Sequence, residues 1–533
     1  MAKPELNLVK ADKEQRVAFN GDGQRVIRHD PGKLPEILDE CEQALAEAED
    51  LNLFVQSGRP VRIYPADEDL LLGSGISRPR GAITLHLVDP PHMVELLSKA
   101  AIHERYDARS QSYKPVDCPR RVADSFLSRG NYPFLKNLSG FVETITITPD
   151  GRVIDQPGYD EETGLFAAFK LTVRSASPKS KPSHEDAKKA RDVLLNLFEE
   201  FPFVDGDKSA ALAGIITSLV RRVLPAAPMM AISAPTPGTG KTLIAETFAI
   251  IATGRRASVL SLGHDDAEAE KRLAGVLLAG DACILLDNIE RPLKGDLLCQ
   301  VTTQQFVRLR PLGASGMLSI PTHATLVATG NNLSVVGDLK RRVVLIRLDA
   351  KEERPEQRKF KRDHLGCVFD QRDTLIRAAL EIPLAYLAAG APNIDGLHPL
   401  GGFEVWDKLV RRPLVWLGLA DPLKAAEELR KQDPDLENMR MLFESWYVVF
   451  PNGEATAAEV VAAGTDTMMA GTEKTNPDLH DVLQVICAEK INSRRMAGWM
   501  RSHRDRIVDG MRLEQCGIDG HTKVAKWRIV KCG

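Results

Sequence analysis

Residues 234–242 read Ala-Pro-Thr-Pro-Gly-Thr-Gly-Lys-Thr, and this stretch decides the fold. An apolar run, Met229-Met230-Ala231-Ile232, precedes it and predicts a buried strand; Leu243 to Ala249 follows and predicts a helix. Strand, glycine-rich loop and helix is the order a phosphate-binding loop needs. Gly238 and Gly240 let backbone N–H groups close around phosphates at the positive end of the helix. Pro237, Gly238, Thr239, Gly240, Lys241, Thr242 and Leu243 form the expected cradle for ATP. Lys241 is expected to reach the β- and γ-phosphates, and Thr242 to hold Mg²⁺. Pro235 stands where the usual first glycine falls, so the start of the loop departs from the common pattern.

Two further strands complete a nucleotide signature. Ala282-Cys283-Ile284-Leu285-Leu286 ends in Asp287, the arrangement of a buried strand tipped by a Mg²⁺-binding acid. Asn288 follows where many such ATPases carry the catalytic glutamate. Glu290, two residues on, is the candidate water activator, with an ordinary surface acid as its alternative. The strand Ala324–Thr329 leads to Gly330-Asn331-Asn332. An amide at that tip can contact the γ-phosphate and orient water; Asn331 fits best, against a plain Asn/Gly turn. This order of motifs does not suit a kinase or a small GTPase. About ten residues later, Arg341-Arg342 precedes the strand Val343–Leu348. Arginine is fixed in charge and forked, so Arg341 and Arg342 are candidates for an arginine finger acting on ATP of a neighbouring subunit. A solvated basic strand start is the alternative. A finger in trans implies a homo-oligomeric ring.

The remainder of the 533 residues bounds the reading. Length suggests about three or four domains. A net charge of −3 gives no global nucleic-acid signal, so any such site is a local patch. Eight scattered cysteines without a Cys-x-x-Cys pair argue against zinc and against a disulfide framework. The amino terminus does not read as a signal peptide, and no apolar run approaches a membrane span; a cytoplasmic protein with no membrane association is expected. The expected organisation is an N-terminal α+β domain (1–115), a connecting domain and linker (116–189), the ATPase core (190–352), a helical lid region (353–430) and a C-terminal domain (431–533). Within the first, Leu34 to Asp50 is expected as an acidic amphipathic helix with Leu38, Cys41 and Leu45 on one face.

Residues 480–533 concentrate charge: eleven Lys/Arg against six Asp/Glu, a net +5. Ser493 is the expected N-cap of a helix from Arg494 to His503. Met496, Trp499, Met500 and His503 would face the core, leaving Arg494, Arg495, Arg501 and Arg504 exposed. Two extended runs with Asp519-Gly520 as turn follow. Helix plus hairpin is the pattern of a winged helix, and those four arginines are the expected DNA contacts. A structural cap with a solvated basic face is the alternative.

With these residues, the chain resembles the ATPase module of primase-helicases encoded by phages and integrated elements, AAA+ proteins akin to superfamily 3 helicases. Leu286-Asp287-Asn288-Ile289, Arg310-Pro311-Leu312-Gly313, Ala328-Thr329-Gly330-Asn331-Asn332, Gly337 to Arg342 and Trp406 to Pro422 carry the resemblance, over roughly residues 115–430. In such relatives Asn often follows the acid. Larger relatives carry a primase-polymerase domain in front, which this chain is expected to lack; Asp67, Asp69 and His86 are read as surface and turn residues. The resemblance implies an α/β AAA+ P-loop ATPase that acts on single-stranded or forked DNA as a hexameric ring, in replication of a phage or mobile element. A loader, an origin-binding assembly switch and an anti-phage defence ATPase are the rivals. Lys271, Arg272, Arg308 and Arg310 are expected channel residues.

Overall fold

The computed structural model describes residues 18–19, 24–65, 70–71, 77–78, 81–169, 175–261, 266–309, 317–358, 360–431, 434–451, 453–467, 473–488 and 490–532. Among these residues, no helix is long and apolar enough to cross a membrane. The chain divides into two compact units, residues 1–425 and 426–533.

The first unit opens with strands β1 (Ala18–Phe19) and β2 (Arg25–Arg28), then helix α1 (Leu34–Glu47). α1 is shorter than its acidic pattern predicts: Glu49–Leu51 turns as a 3-10 helix. Its buried face is Ile37, Cys41, Ala44 and Leu45, while Leu38 is only partly covered. Strands β3 (Leu53–Gln56), β4 (Arg59–Pro65) and β5 (Ile83–Leu87) form an antiparallel sheet, as their apolar stretches predict. Helix α2 (Pro90–Ala100), strands β6 (Ile102–Asp107) and β7 (Ser112–Val116), and helix α3 (Arg120–Ser128) follow. Asp67 and Asp69 lie outside the described residues. His86 sits on β5, with its ring stacked on Tyr64 at 4.4 Å.

A capping box, Ser183 with Asp186, starts helix α4 (His184–Leu197). Helix α5 (Asp207–Val220), buried nearly all round, packs against the central sheet. That sheet has five parallel strands: β8 (Met229–Ala234), β9 (Ser258–Leu260), β10 (Cys283–Leu286), β13 (Thr325–Asn331) and β14 (Val343–Arg347), with β11 (Phe306–Leu309) and β12 (Leu318–Pro321) paired separately as a hairpin. Their order is β9-β10-β13-β8-β14. Strands covered on both faces read as continuous apolar runs, which is why Met229–Ile232 and Cys283–Leu286 are wholly buried. The crossovers are α6 (Lys241–Thr253), α7 (Asp266–Leu278) and α8 (Asp296–Thr303). Helices α9 (His364–Asp370) and α10 (Arg372–Ala388) then return against α6 and α4. Further on, Trp406 is buried and its indole N–H donates to Thr217 Oγ1 on α5 at 2.8 Å.

The second unit holds helices α11 (Pro434–Val449), α12 (Ala457–Thr465), α13 (Pro477–Cys487) and α14 (Ser493–Ser502). Its antiparallel sheet has the order β15-β18-β17-β16, from β15 (Ala455–Thr456), β16 (Ile507–Val508), β17 (Met511–Ile518) and β18 (Ala525–Lys531). The N-cap of α14 is Asn492 rather than Ser493: the Asn492 side chain accepts from Arg495 N at 2.9 Å. Met496 and Met500 are core residues. Trp499 and His503 stack on each other at 4.1 Å and stay half-exposed, so the apolar stripe is narrower than its spacing predicts.

Candidate functional site

The strand order places the site. The chain passes from β8 outward to β9, back through β10 and β13, and then to β14 on the far side of β8. The direction of winding therefore reverses between β13 and β8, and loops leaving the carboxyl ends there part to leave a crevice. Residues 235–240 occupy it and run into α6. Gly238 (φ 78°) and Gly240 (φ 98°) adopt the left-handed backbone, and a Cβ on either would strike Glu356 or Phe201. Glycine is thus required both by the backbone turn and by close neighbours.

Register brings the polar residues together. Ala234 pairs with Asn331, and Leu286 with Ala328, so Asp287 falls beside Thr329 at the strand ends. Lys241 Nζ donates to Asn331 Oδ1 at 2.8 Å and to Thr236 O at 3.1 Å. Thr242 Oγ1 lies 3.5 Å from Asp287 Oδ1. Thr329 Oγ1 donates to Asp287 Oδ1 at 2.5 Å and accepts from Asn288 N at 3.1 Å, which fixes the carboxylate and the start of the next turn. Burial pushes the Lys241 ammonium below its ordinary range, with the Asp287 carboxylate acting the other way. Four of the sequence-predicted residues, Lys241, Thr242, Asp287 and Asn331, therefore converge on one crevice. Thr242 and Asp287 offer hard oxygen ligands facing each other, which suits Mg²⁺ with water in its other positions.

Glu290 is exposed, and its carboxylate accepts from Asn288 Nδ2 at 3.4 Å. Asn288 itself has φ 52°, a left-handed conformation that Asn tolerates. A cavity of about 640 Å³ borders this turn, lined in part by Asp287, Glu290 and Lys294.

The arginine pair divides. Arg342 is mostly covered, its side chain 15% exposed: it pairs with Asp338 at 2.5 Å and donates to Cys299 O (3.1 Å) and Thr303 Oγ1 (2.6 Å). It ties the turn before β14 to α8. Arg341 is 64% exposed and, among the described residues, pairs only with Asp338.

An aromatic cluster beside the loop was not read from the sequence. Phe201 packs on Phe360 (5.4 Å between ring centroids) and His364 (4.7 Å), and its ring abuts Gly240. His364 Nε2 and Thr247 Oγ1 of α6 are 2.8 Å apart. Burial, aided by Arg362, lowers the His364 pKa to about 4. The spacing Phe198-x-x-Phe201-x-Phe203 was a visible signal, but nothing in the sequence aimed it at the loop.

Of the expected channel residues, Arg272 pairs with Glu268 at 3.2 Å on α7, Lys271 is exposed on the same helix, and Arg308 is exposed on β11; Arg310 lies outside the described residues. In the second unit, Arg494 and Arg501 are exposed and make no ion pair among the described residues. Arg504 pairs with Asp505 at 3.0 Å, and Arg495 donates to Cys487 O at 2.6 Å.

No family model matches the chain, and no curated protein matches it. Solved structures do. The A-form apo structure of the NrS-1 C-terminal region is 13% identical over 84% of this chain and 100% of that one, with a TM-score of 0.39. SCCmec type IV Cch, described as an active helicase, is 12% identical over 90% and 97%, with a TM-score of 0.31. JCV helicase is 13% identical over 49% and 71%, with a TM-score of 0.21. The chain is a mixed α/β protein, and two of these three solved structures are described as helicases.

Proposed function

We propose that the protein is a AAA+ ATPase that works as an ATP-dependent DNA helicase or translocase in the replication of a phage or mobile element. The observation that carries this reading is the meeting of Lys241, Thr242, Asp287 and Asn331 at the winding reversal of a parallel sheet. Lys241 and the N–H groups of residues 237–243 bind the phosphates. Thr242 and Asp287 would hold Mg²⁺, which would supply charge neutralisation at the phosphates. Asn331 exchanges its contact with Lys241 for one with the γ-phosphate and orients water beside it. Arg341, the exposed member of its pair, reaches ATP of the next subunit in a homo-oligomeric, hexameric ring; Arg342 positions it by bracing the turn. The β11–β12 hairpin faces single-stranded DNA in the channel, and α14 with the β17–β18 hairpin binds duplex as a winged helix through Arg494, Arg495, Arg501 and Arg504.

One observation favours a second reading. Asn288 replaces the usual glutamate, and its amide engages Glu290. A slowly hydrolysing assembly switch would have this feature. ATP turnover and unwinding of a forked duplex by one preparation separate the two. Lys241→Ala is expected to abolish both while leaving the fold intact, because Lys241 supports no core contact. Wild-type turnover by a folded Lys241→Ala protein would refute the nucleotide site.

A further inference from the structure

The β3–β4 turn and the β11–β12 hairpin enclose a cleft of about 390 Å³ that plays no part in the nucleotide site. Gln56, Ser57 and Arg59 form one wall; Arg308, Met317 and Ser319 form the other. No Asp or Glu lines it among the described residues. Arg59 and Arg308 are exposed, and neither makes an ion pair among the described residues.

Both walls are held in place. Ser57 and Gly58 have positive φ (51° and 73°), the backbone of a two-residue hairpin turn whose twist matches its strands. Gln56 and Arg59 are therefore a fixed cross-strand pair. Val55 exchanges backbone hydrogen bonds with the segment at 136–138, Val55 N to Lys136 O (2.9 Å) and Leu138 N to Val55 O (2.7 Å). Opposite, Arg308 pairs across the hairpin with Ser319. The base of that hairpin is clamped by buried Arg221, which donates to Thr322 O (2.6 Å) and Ala324 O (3.2 Å). Phe306 shares a face with Arg308 and is 47% exposed, while Val307 between them is buried.

Two exposed guanidiniums on fixed backbone, an amide and two hydroxyls, with no acid, surround an apolar floor of Val61, Leu85, Leu87 and Leu278 and make a site for an anionic backbone. The volume is at the low end for a ligand pocket. The exposed Phe306 ring adds a surface on which a base can stack. We infer that this cleft binds the sugar–phosphate backbone of single-stranded DNA, so that the N-terminal region supplies one wall of the DNA path. The inference rests on the DNA reading above and adds Gln56, Ser57 and Arg59 to it.

The test is anisotropy titration of full-length protein with fluorescein-labelled dT20, with a 20-bp duplex and rU20 in parallel, from 50 to 200 mM NaCl. Arg59→Ala and Arg308→Ala are each expected to weaken dT20 binding and lower the log–log salt slope by ~0.7. Over that salt range each variant would then lose affinity by about 2.6-fold less than wild type. A photo-crosslinker on Ser57→Cys is expected to capture dT20. Urea denaturation midpoints and m-values matching wild type report that the variants fold. If Arg308→Ala weakens binding and Arg59→Ala matches wild type, the cleft is refuted while the DNA reading stands. Absence of any salt-dependent dT20 binding by wild type overturns the DNA reading itself. An equal loss on the duplex, or preference for rU20, overturns the assignment to single-stranded DNA.

Discussion

Arg341 and Arg342 are adjacent, yet their removal should have opposite consequences. Arg342→Ala deletes bonds to Asp338, Cys299 O and Thr303 Oγ1 at a largely covered position. Hydrogen bonds to a charged group contribute roughly 1.5–3 kcal/mol each, but they share one side chain and water refills part of the gap. A total loss of about 2–3 kcal/mol is expected, read as a lower urea midpoint with an unchanged m-value. Arg341→Ala removes one surface ion pair, worth about 0–1 kcal/mol, so its midpoint should hardly move. Its ATP turnover should instead fall by ~10³–10⁵, the range of an arginine finger, with ATP binding retained. Mixing Arg341→Ala with Lys241→Ala protein should recover some activity, because mixed rings rebuild intact sites at some interfaces. The assays are urea denaturation, nucleotide binding and steady-state turnover on each variant and on mixtures. Wild-type turnover by Arg341→Ala, or no recovery in mixtures that demonstrably exchange subunits, refutes the trans assignment.

Acid should loosen the helix that follows the phosphate loop. His364 is neutral in the fold with a pKa of about 4 against 6.5 when exposed, so the unfolded chain takes up a proton first. Its stabilisation is complete above pH 6.5 and is lost as pH falls to about 4, by about 3 kcal/mol at most. Arg362 pushes this pKa down, and Asp363 and Glu200 oppose it. The gap between denaturation midpoints at pH 7 and pH 4 should narrow in His364→Phe, the remainder coming from buried His29 and His323; an unchanged gap sinks the argument. For duplex binding, Arg494→Ala/Arg501→Ala/Arg504→Ala should lower the log–log salt slope by ~0.9 per lost phosphate contact and leave DNA-independent turnover intact. Three substitutions are preferable to cutting at residue 480, because β15 pairs with β18 and such a cut would split the sheet. An unchanged slope would make the second unit a structural cap.

The sequence alone determined the elements that local chemistry controls. Continuous apolar runs gave β8 and β10, glycines before a Lys-Thr pair gave the loop, and the acid and amide at strand tips marked Asp287 and Asn331. These are one-dimensional signals: burial on both faces demands apolar residues, and left-handed backbone favours glycine. Capping was legible only in part, since Asn492 rather than Ser493 accepts from Arg495 N. The apolar spacing of α14 likewise overstated its core face at Trp499 and His503. Tertiary structure decided everything that depends on which strands become neighbours. Pairing of β13 with β8 brought Asn331 to Lys241 across ninety residues of chain. Packing of α8 against the turn before β14 covers most of Arg342 and leaves Arg341, paired with Asp338, exposed, a distinction two identical side chains cannot announce. The Phe201–Phe360–His364 cluster and the Arg59–Arg308 cleft join segments far apart in the chain. Their contacts exist only once the sheet order is fixed, because sequence spacing carries direction along a helix or strand but not between them.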